Sequence, residues 1–281
     1  MGYSLSGKEL SDLVCAGNAA MSQEAKDART RHWHEAMDRR SVEAKSKTNK
    51  MISESVRESN VVRNNLIAAP NVSEDFARWF TGFFEGDGSP YFTEPVNNNG
   101  TGVVFKPEIG FAQKDADVVE YVAQVLQGNL SWVKRKQGLY RQVRWAAQLE
   151  CIPILRLISE YIVSQLRCEQ LNVLLERLGL PLCCVHKPTM IWVVGFWDAE
   201  GSIEDPKHVI GSTVLSFSQK ESAVLYSVRD FLGVGRVHFP PAGPRLTIRH
   251  RDGSQLAEAI LKYGCIGRKQ QMLKERWFGQ S

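Results

Sequence analysis

The chain lacks the features of a membrane or exported protein. No apolar run approaches the roughly 18–20 residues that a membrane helix needs. Residues 1–30 have no apolar signal-peptide core, and acids stand among their arginines, unlike in a transit peptide. The six cysteines form no CxxC pair, which is typical of reduced thiols. We expect no membrane partner and a cytosol-like reducing compartment (an organelle matrix or stroma, or a microbial cytoplasm), not secretion.

Residues 1–70 also lack the residues that end helices. They contain no glycine between Gly17 and the first motif at Gly82, and no proline before Pro70. This permits long helices, but apolar side chains are too widely spaced to predict an independent core. We interpret residues 1–70 as a polar N-terminal extension, helical or mobile.

Two basic stretches lack acids altogether. The net charge of +4 is modest, but residues 131–147 and 235–251 hold no Asp or Glu. A basic stripe on predicted strands indicates a polyanion partner, and two solvated strand faces are the alternative. The basic residues in these stretches are Lys134, Arg135, Lys136, Arg141 and Arg144 in the first, and Arg236, Arg245, Arg249 and Arg251 in the second.

A short motif occurs twice, as FTGFFEGDG at residues 80–88 and as VVGFWDAEG at residues 193–201. Each copy is an apolar helical run with small residues four apart, at Gly82/Gly86 and at Gly195/Ala199. Residues at this spacing share one helix face, and small ones let two backbones approach closely. Two such helices packed face to face would bring Asp87 and Glu200 together.

Paired acids at helix ends are unfavourable without a cation. A helix C-terminus is partly negative, and adjacent carboxylates repel each other. Mg²⁺ relieves both conflicts, because it binds one or two carboxylates together with substrate phosphates. One motif alone would indicate a buried helix with a glycine cap. Two copies with matched acids favour a metal site.

The order of predicted elements repeats after each motif. In the first half, Ser73 caps a helix to about Glu85, followed by strands Tyr91–Val96 and Val103–Gln113, a helix Ala116–Leu126, strands Leu130–Lys136 and Tyr140–Ala146, and helices at about 151–163 and 165–178. In the second half, Thr189 caps the motif helix, followed by strands at 202–206 and 209–218, a helix at 221–232, strands at 235–239 and 245–250, and helices at 254–263 and 267–277.

Matched residues extend beyond the motifs. Phe111-Ala112-Gln113-Lys114 and Phe217-Ser218-Gln219-Lys220 each stand after a predicted strand and before a predicted helix. This indicates a duplication that gives one chain a pseudo-two-fold axis. We predict an α+β fold of two αββαββα repeats, at residues 71–185 and 186–281.

On these motifs, residues 71–281 resemble a single-chain LAGLIDADG homing endonuclease. The resemblance implies a β-saddle and a monomeric, Mg²⁺-dependent DNA endonuclease, intron-encoded, that hydrolyses phosphodiester bonds of a long asymmetric site. Mn²⁺ is expected to replace Mg²⁺, and Ca²⁺ to bind without supporting cleavage. The partner is double-stranded DNA, because a β-ribbon fits the major groove.

The resemblance also implies roles for individual residues. Asp87 and Glu200 would bind Mg²⁺ near the carbonyls of Gly86 and Ala199, while Glu85 and Asp198, about 200° around the helix, would cap or pair at the rim. Further catalytic candidates are Gln113, Gln219, Arg167 and Lys269 (or Arg268). The DNA-binding candidates are Lys106, Lys114, Lys134, Arg135, Lys136, Arg141, Arg144, Lys220, Arg236, Arg245, Arg249 and Arg251, together with the outward strand residues Tyr91, Thr93, Glu108, Gln142, Ser202, Glu204, Thr213 and Thr247.

Two other functions compete with the endonuclease. A LAGLIDADG-type maturase would bind host intron RNA and assist its splicing, and one protein can do both. A transcription regulator on this scaffold should lose the acids and gain a helix-turn-helix. Because both acids are present, the sequence favours the nuclease.

Overall fold

Both halves of the repeat fold into the same order of elements in the computed structural model. It describes residue 64 and residues 67–94, 105–204, 213–264 and 267–279. The described residues all belong to one compact unit within Glu58–Ser281. The predicted extension up to residue 63 and the Asn97–Gly100 turn lie outside the described residues.

The first half contains four helices and four strands among its described residues. They are α1 (Glu74–Asp87), β1 (Ser89–Thr93), β2 (Lys106–Gln113), α2 (Ala116–Leu126), β3 (Asn129–Arg135), β4 (Gly138–Trp145), α3 (Gln148–Ser159) and α4 (Gln165–Leu178). Ser73 caps α1 as predicted, because its hydroxyl accepts from Phe76 N at 3.2 Å.

The second half repeats this order. Its elements are α5 (Met190–Glu200), β5 (Gly201–Glu204), β6 (Val214–Ser218), α6 (Ser222–Leu232), β7 (Arg236–His238), β8 (Arg245–Arg249), a 3-10 turn (His250–Asp252), α7 (Ser254–Tyr263), α8 (Arg268–Leu273) and a π-helical turn (Lys274–Phe278). Thr189 caps α5, since its hydroxyl accepts from Trp192 N at 3.3 Å.

Each half holds one antiparallel four-stranded sheet. The strand orders are β1-β2-β4-β3 and β5-β6-β8-β7, so the second hairpin of each half pairs with the first in the same way. Gly110 lies opposite Arg144 in the first sheet, and Val214 lies opposite Arg249 in the second. The predicted α+β fold of two matched repeats is confirmed.

The motif helices α1 and α5 pack directly against each other. A Cβ on Gly82 would overlap the Trp192 carbonyl and lie 2.9 Å from Phe196 N, and one on Gly195 would overlap the Trp79 carbonyl. Only glycine permits this backbone-to-backbone approach. The predicted face-to-face packing of the small residues is therefore confirmed.

Two helices differ from their predicted bounds. α3 spans Gln148–Ser159 rather than about 151–163, because Val163 N donates to Glu85 Oε1 at 2.8 Å instead of continuing the helix. α8 ends at Leu273 and continues as the π-helical turn. Among the described residues, no helix is long and apolar enough to cross a membrane.

Candidate nuclease site

Asp87 and Glu200 stand at the adjoining C-terminal ends of α1 and α5. A Cβ on Gly86 would lie 2.9 Å from Glu200 Cγ and would overlap Ala199 Cβ, so the helices are still in close contact where the acids emerge. Gln113, at the end of β2, donates from Nε2 to Asp87 Oδ2. The structure thus brings together both predicted acids and one of the two predicted glutamines.

The surroundings disfavour a second negative charge at this pair. Burial and then the neighbouring charge of Asp87 raise the pKa of Glu200 to about 7. Burial also raises the pKa of Asp87, although the Gln113 hydrogen bond and the positive charge of Lys269 act in the opposite direction. The pair would therefore be stabilised by a bound cation.

Two basic side chains cap the motif helices. Lys269 Nζ donates to the carbonyls of Asp198 at 2.6 Å and Ala199 at 3.4 Å. Arg167 donates from Nε to the Glu85 carbonyl at 3.2 Å, and its Nη2 lies 3.5 Å from the Gly86 carbonyl. Cations at these positions satisfy helix carbonyls and oppose the partial negative charge of the helix end.

A cleft of about 630 Å³ opens beside Asp87. It is lined by both halves, among them Gln113 and Lys114 from the first and Lys269 from the second. The second predicted glutamine differs from the first: Gln219 Oε1 accepts from Lys220 N at 2.7 Å. The two ends of the site thus each supply an acid and a basic residue, but their glutamines make different contacts.

The donor set fits a divalent cation that completes its coordination with substrate. Within the described ranges, no group of three or more His, Cys, Asp or Glu side chains could hold a metal ion. Asp87 and Glu200 supply two carboxylates, and Mg²⁺ commonly binds with one or two carboxylates plus phosphate oxygens and water. Such a site would be completed only with a phosphate-bearing substrate.

The acids two residues before this pair do not lie at a rim, and this prediction is wrong. Glu85 is buried and accepts from Val163 N, Ser164 N at 2.6 Å and Trp192 Nε1 at 2.9 Å. Burial raises its pKa to about 8 against the effect of these hydrogen bonds. Asp198 is buried too and accepts from Trp79 Nε1. Because the two helices touch backbone to backbone, these side chains are enclosed between the halves.

Each sheet has an open face, defined in the first half by Tyr91, Glu108, Gln142 and Arg144 and in the second by Ser202, Arg245, Thr247 and Arg249. Ion pairs order part of it. Arg144 lies 3.6 Å from Glu108, which also accepts from the Tyr91 hydroxyl at 3.0 Å. In the second sheet, Arg245 of β8 pairs with Glu204 of β5. Arg249 is exposed there.

Four predicted DNA contacts lie elsewhere. Arg141 pairs with Glu120 of α2 at 3.0 Å and stacks on Trp132, on the helix-covered face. Strand alternation places Lys134 on that side too. Thr213 is fully buried, and Arg251 lies beyond β8 and pairs with Asp252 at 3.2 Å. The basic residues of the stretch at residues 131–147 are therefore divided between the two faces of the first sheet.

The remaining basic candidates differ in position. Arg135 stacks on Tyr140 at 5.1 Å, and Lys114 lies 5.7 Å from the same ring, at the cleft. Strand alternation places Lys106 and Arg236 on the open faces of their sheets. Lys136 and Lys220 are exposed in turns.

Sequence reasoning missed the residues that join the two halves. Trp79 and Trp192 donate to the buried acids of the opposite motif. Asp115 and Glu221 accept from backbone N–H groups of the opposite half. A signal was present, because an acid follows Gln-Lys in both halves and a tryptophan stands eight residues before each motif-terminal acid.

Two matched α+β halves joined through glycine-bearing helices, each ending in an acid, define a two-motif single-chain protein with one composite site. No protein-family model and no curated protein matches the chain. Three solved structures similar to it are LAGLIDADG meganuclease I-AabMI bound to uncleaved DNA (TM-score 0.57, 16% identity, 73% of this chain and 90% of that one), homing endonuclease I-GzeII with its DNA target (0.57, 16%, 72% and 88%) and I-SmaMI bound to its DNA target with calcium ions (0.55, 16%, 72% and 89%). The chain has the LAGLIDADG meganuclease fold, as the resemblance implied.

Proposed function

We propose that the chain is a site-specific double-strand DNA endonuclease that requires a divalent metal. The observation that carries this proposal is the meeting of Asp87 and Glu200 at the ends of two closely packed helices. A protein that only binds nucleic acid has no use for two adjoining half-buried carboxylates, one of which, Asp87, lines a cleft. Similar structures have DNA bound in their crystals, which supports the same substrate class.

The residues at the site divide the chemical work. Asp87 and Glu200 would hold the metal, and Mg²⁺ suits their two carboxylates. A divalent metal held there would supply activation of water and stabilisation of the leaving oxygen. Gln113 fixes the orientation of the Asp87 carboxylate by donating to it. Lys269 and Arg167 add positive charge next to the acids, where phosphate would bind.

The substrate is a long duplex without two-fold symmetry. The two open faces supply the recognition surface, because a β-ribbon can enter the major groove and read base edges. These faces differ in sequence: Tyr91, Glu108 and Arg144 in the first half correspond to no identical set in the second. One chain with two unlike halves therefore acts as a monomer on an asymmetric site.

The proposal includes the metal preference and the biological setting that the sequence resemblance implies. Mg²⁺ is the working ion, Mn²⁺ replaces it, and Ca²⁺ supports binding without cleavage; a similar structure holds its uncleaved DNA with calcium. The protein works in a reducing compartment such as an organelle matrix or microbial cytoplasm, encoded within an intron.

Cleavage of a randomised duplex library tests the proposal. With Mg²⁺ we expect cut products that share one long asymmetric sequence. Asp87→Asn and Glu200→Gln should each abolish double-strand cleavage. Both variants should still bind the duplex in Ca²⁺, because strand residues make the phosphate and base contacts. Full cutting by Glu200→Gln would remove Glu200 from the metal site. Splicing help for a host intron RNA without any DNA cleavage would favour the maturase instead.

A further inference from the structure

Each half of the protein supplies one acid that contacts the start of a helix in the other half. Asp115 follows Gln113-Lys114 and stands at the N-cap of α2. Glu221 follows Gln219-Lys220 and stands at the N-cap of α6. They occupy matching places in the repeat, directly after the glutamine–lysine pair.

Asp115 uses its two oxygens for two different helices. Oδ1 accepts from Asp117 N at 3.3 Å within α2. Oδ2 accepts from Arg268 N at 3.2 Å, at the first residue of α8 in the second half. Gly267 is in tight contact as well, because a Cβ there would lie 2.7 Å from Oδ2. The first residue of α8 is thus held by a carboxylate of the opposite half.

Glu221 makes the corresponding contact in the reverse direction. Its Oε1 lies 3.5 Å from Leu166 N in α4, and its Oε2 accepts from the Ser164 hydroxyl. The same hydroxyl accepts from Arg167 N at 3.1 Å. A chain of hydrogen bonds therefore runs from Glu221 through Ser164 to the backbone of Arg167.

The residue held in each half directly precedes the basic residue at the site. Leu166 precedes Arg167, and Arg268 precedes Lys269. The first N–H groups of a helix have no partner within the helix, and a carboxylate satisfies them with charge-assisted hydrogen bonds. Fixing these N–H groups fixes where the next side chain leaves the helix.

We propose that Asp115 and Glu221 are positioning residues that hold the basic side chain of the opposite half, Lys269 and Arg167 respectively, at the carbonyl end of its motif helix. The inference rests on the proposed nuclease function. Its consequence is mutual dependence, because each half supplies the anchor for the other half's basic residue. Neither end of the site is then fully ordered unless both halves are docked.

Asparagine and glutamine substitutions separate this role from ordinary capping. Asp115→Asn keeps an oxygen for Asp117 N, because asparagine caps helices as well as aspartate, but removes the second acceptor that faces Arg268 N. We expect the single-turnover cleavage rate in Mg²⁺ to fall about tenfold, since small misplacements at a reacting centre cost this much or more. Binding in Ca²⁺ should not change. Asp117→Asn, an exposed acid in the same helix turn, is the charge-matched control and should cleave normally.

Combination with Lys269→Ala distinguishes positioning from general destabilisation. If Asp115 acts through Lys269, Asp115→Asn should cause no further loss in the Lys269→Ala protein, because the coupled residue is already absent. Glu221→Gln acts through Arg167, so in the Lys269→Ala protein it should lower the cleavage rate by the same factor as in the wild-type protein. Equal additional losses from both substitutions would overturn the proposal.

Hydrogen exchange tests the contact without any cleavage. Asp115→Asn should accelerate amide exchange at the start of α8 and leave the start of α4 unchanged, and Glu221→Gln should do the reverse. Unchanged exchange at both helix starts would overturn the inference. If the variants show this exchange pattern but the wild-type chain cuts no DNA, the nuclease function alone would be overturned.

Discussion

Trp79 and Asp198, from opposite halves of the repeat, are joined by a hydrogen bond of 2.8 Å from the indole Nε1 to Oδ2. The reverse bond joins Trp192 Nε1 to Glu85 Oε1 at 2.9 Å. Each acid stands two residues before Asp87 or Glu200, so the reciprocal pair fixes how far α1 can slide along α5. The relative position of Asp87 and Glu200 therefore depends on these buried polar contacts as well as on the glycines.

Replacement of Trp79 by phenylalanine tests this joint. Trp79→Phe keeps an aromatic ring but removes the donor from a buried carboxylate. We expect the free energy of unfolding to fall by about 1–3 kcal/mol, the cost typical of a buried polar group that loses a partner. Urea denaturation measures it, with Trp145→Phe as the matched control.

Trp145 suits this control because it is equally buried and donates to a neutral acceptor, the Leu126 carbonyl, at 3.0 Å within one half. Trp145→Phe should therefore cost less than Trp79→Phe, since hydrogen bonds to charged groups are the stronger ones. Equal losses would show that the hydrogen bond to the Asp198 carboxylate contributes no more than the one to a neutral carbonyl.

The acid pair makes the metal-free protein less stable as the pH rises. The folded-state pKa of Glu200 is raised from 4.5 to about 7, so the folded state holds its proton more tightly than the unfolded chain. Stability is then lost as the pH rises from about 4.5 through 7. Glu200→Gln should raise the free energy of unfolding at pH 8 in a chelator and change it little at pH 5.

Urea denaturation at the two pH values checks this expectation. Glu258→Gln, an exposed acid on α7, is the control and should show no such difference. Mg²⁺ should reduce the advantage of Glu200→Gln at pH 8, because the wild-type pair binds the ion and gains stability from it. A variant less stable than wild type at pH 8 would contradict the predicted repulsion.

Local patterns predicted the elements, and tertiary contacts decided the exceptions. The bounds of α2 and the caps of α1 and α5 follow from apolar spacing and capping residues, and they were predicted correctly. The predicted DNA contact of Arg141 was wrong because residue alternation along a strand does not indicate which face of the sheet a helix will cover. The predicted rim position of Glu85 was wrong because the burial of this side chain depends on Trp192, which lies in the other half.

Arg249 and Arg141 distinguish the open face from the covered one. Arg249→Ala should weaken specific binding by about 1–3 kcal/mol if the side chain reads a base. If it meets phosphate, the loss should be uniform across sequences and the salt slope should fall by about one. Arg141→Ala is the matched control, because its guanidinium pairs with Glu120 on the other face, and it should leave both quantities unchanged. No effect from Arg249→Ala would mean that β8 does not face DNA.

The role of the N-terminal extension stays a prediction, and Asn64 sharpens its test. This residue is buried; its Nδ2 donates to the Leu178 carbonyl at 2.7 Å, and its Oδ1 accepts from Gln148 Nε2 at 3.1 Å. It therefore ties α3 to α4 although it precedes the predicted start of the first half at residue 71. A truncated chain should respect this contact.

We expect a chain that starts at Glu58 to fold and cleave like the full chain, because the compact unit begins there. A chain that starts at Asn71 should still fold and cleave, but with an unfolding free energy lower by about 1–3 kcal/mol, because buried groups lose the Asn64 partner. Asn64→Ala in the full chain should reproduce most of that loss by urea denaturation.

The competing idea is an arm that grips flanking DNA through Arg29, Arg31, Arg39 and Arg40, all outside the described residues. Binding to long and short duplexes separates the two: a large affinity loss for the Glu58 chain, confined to long duplexes, would establish the arm and overturn a dispensable extension.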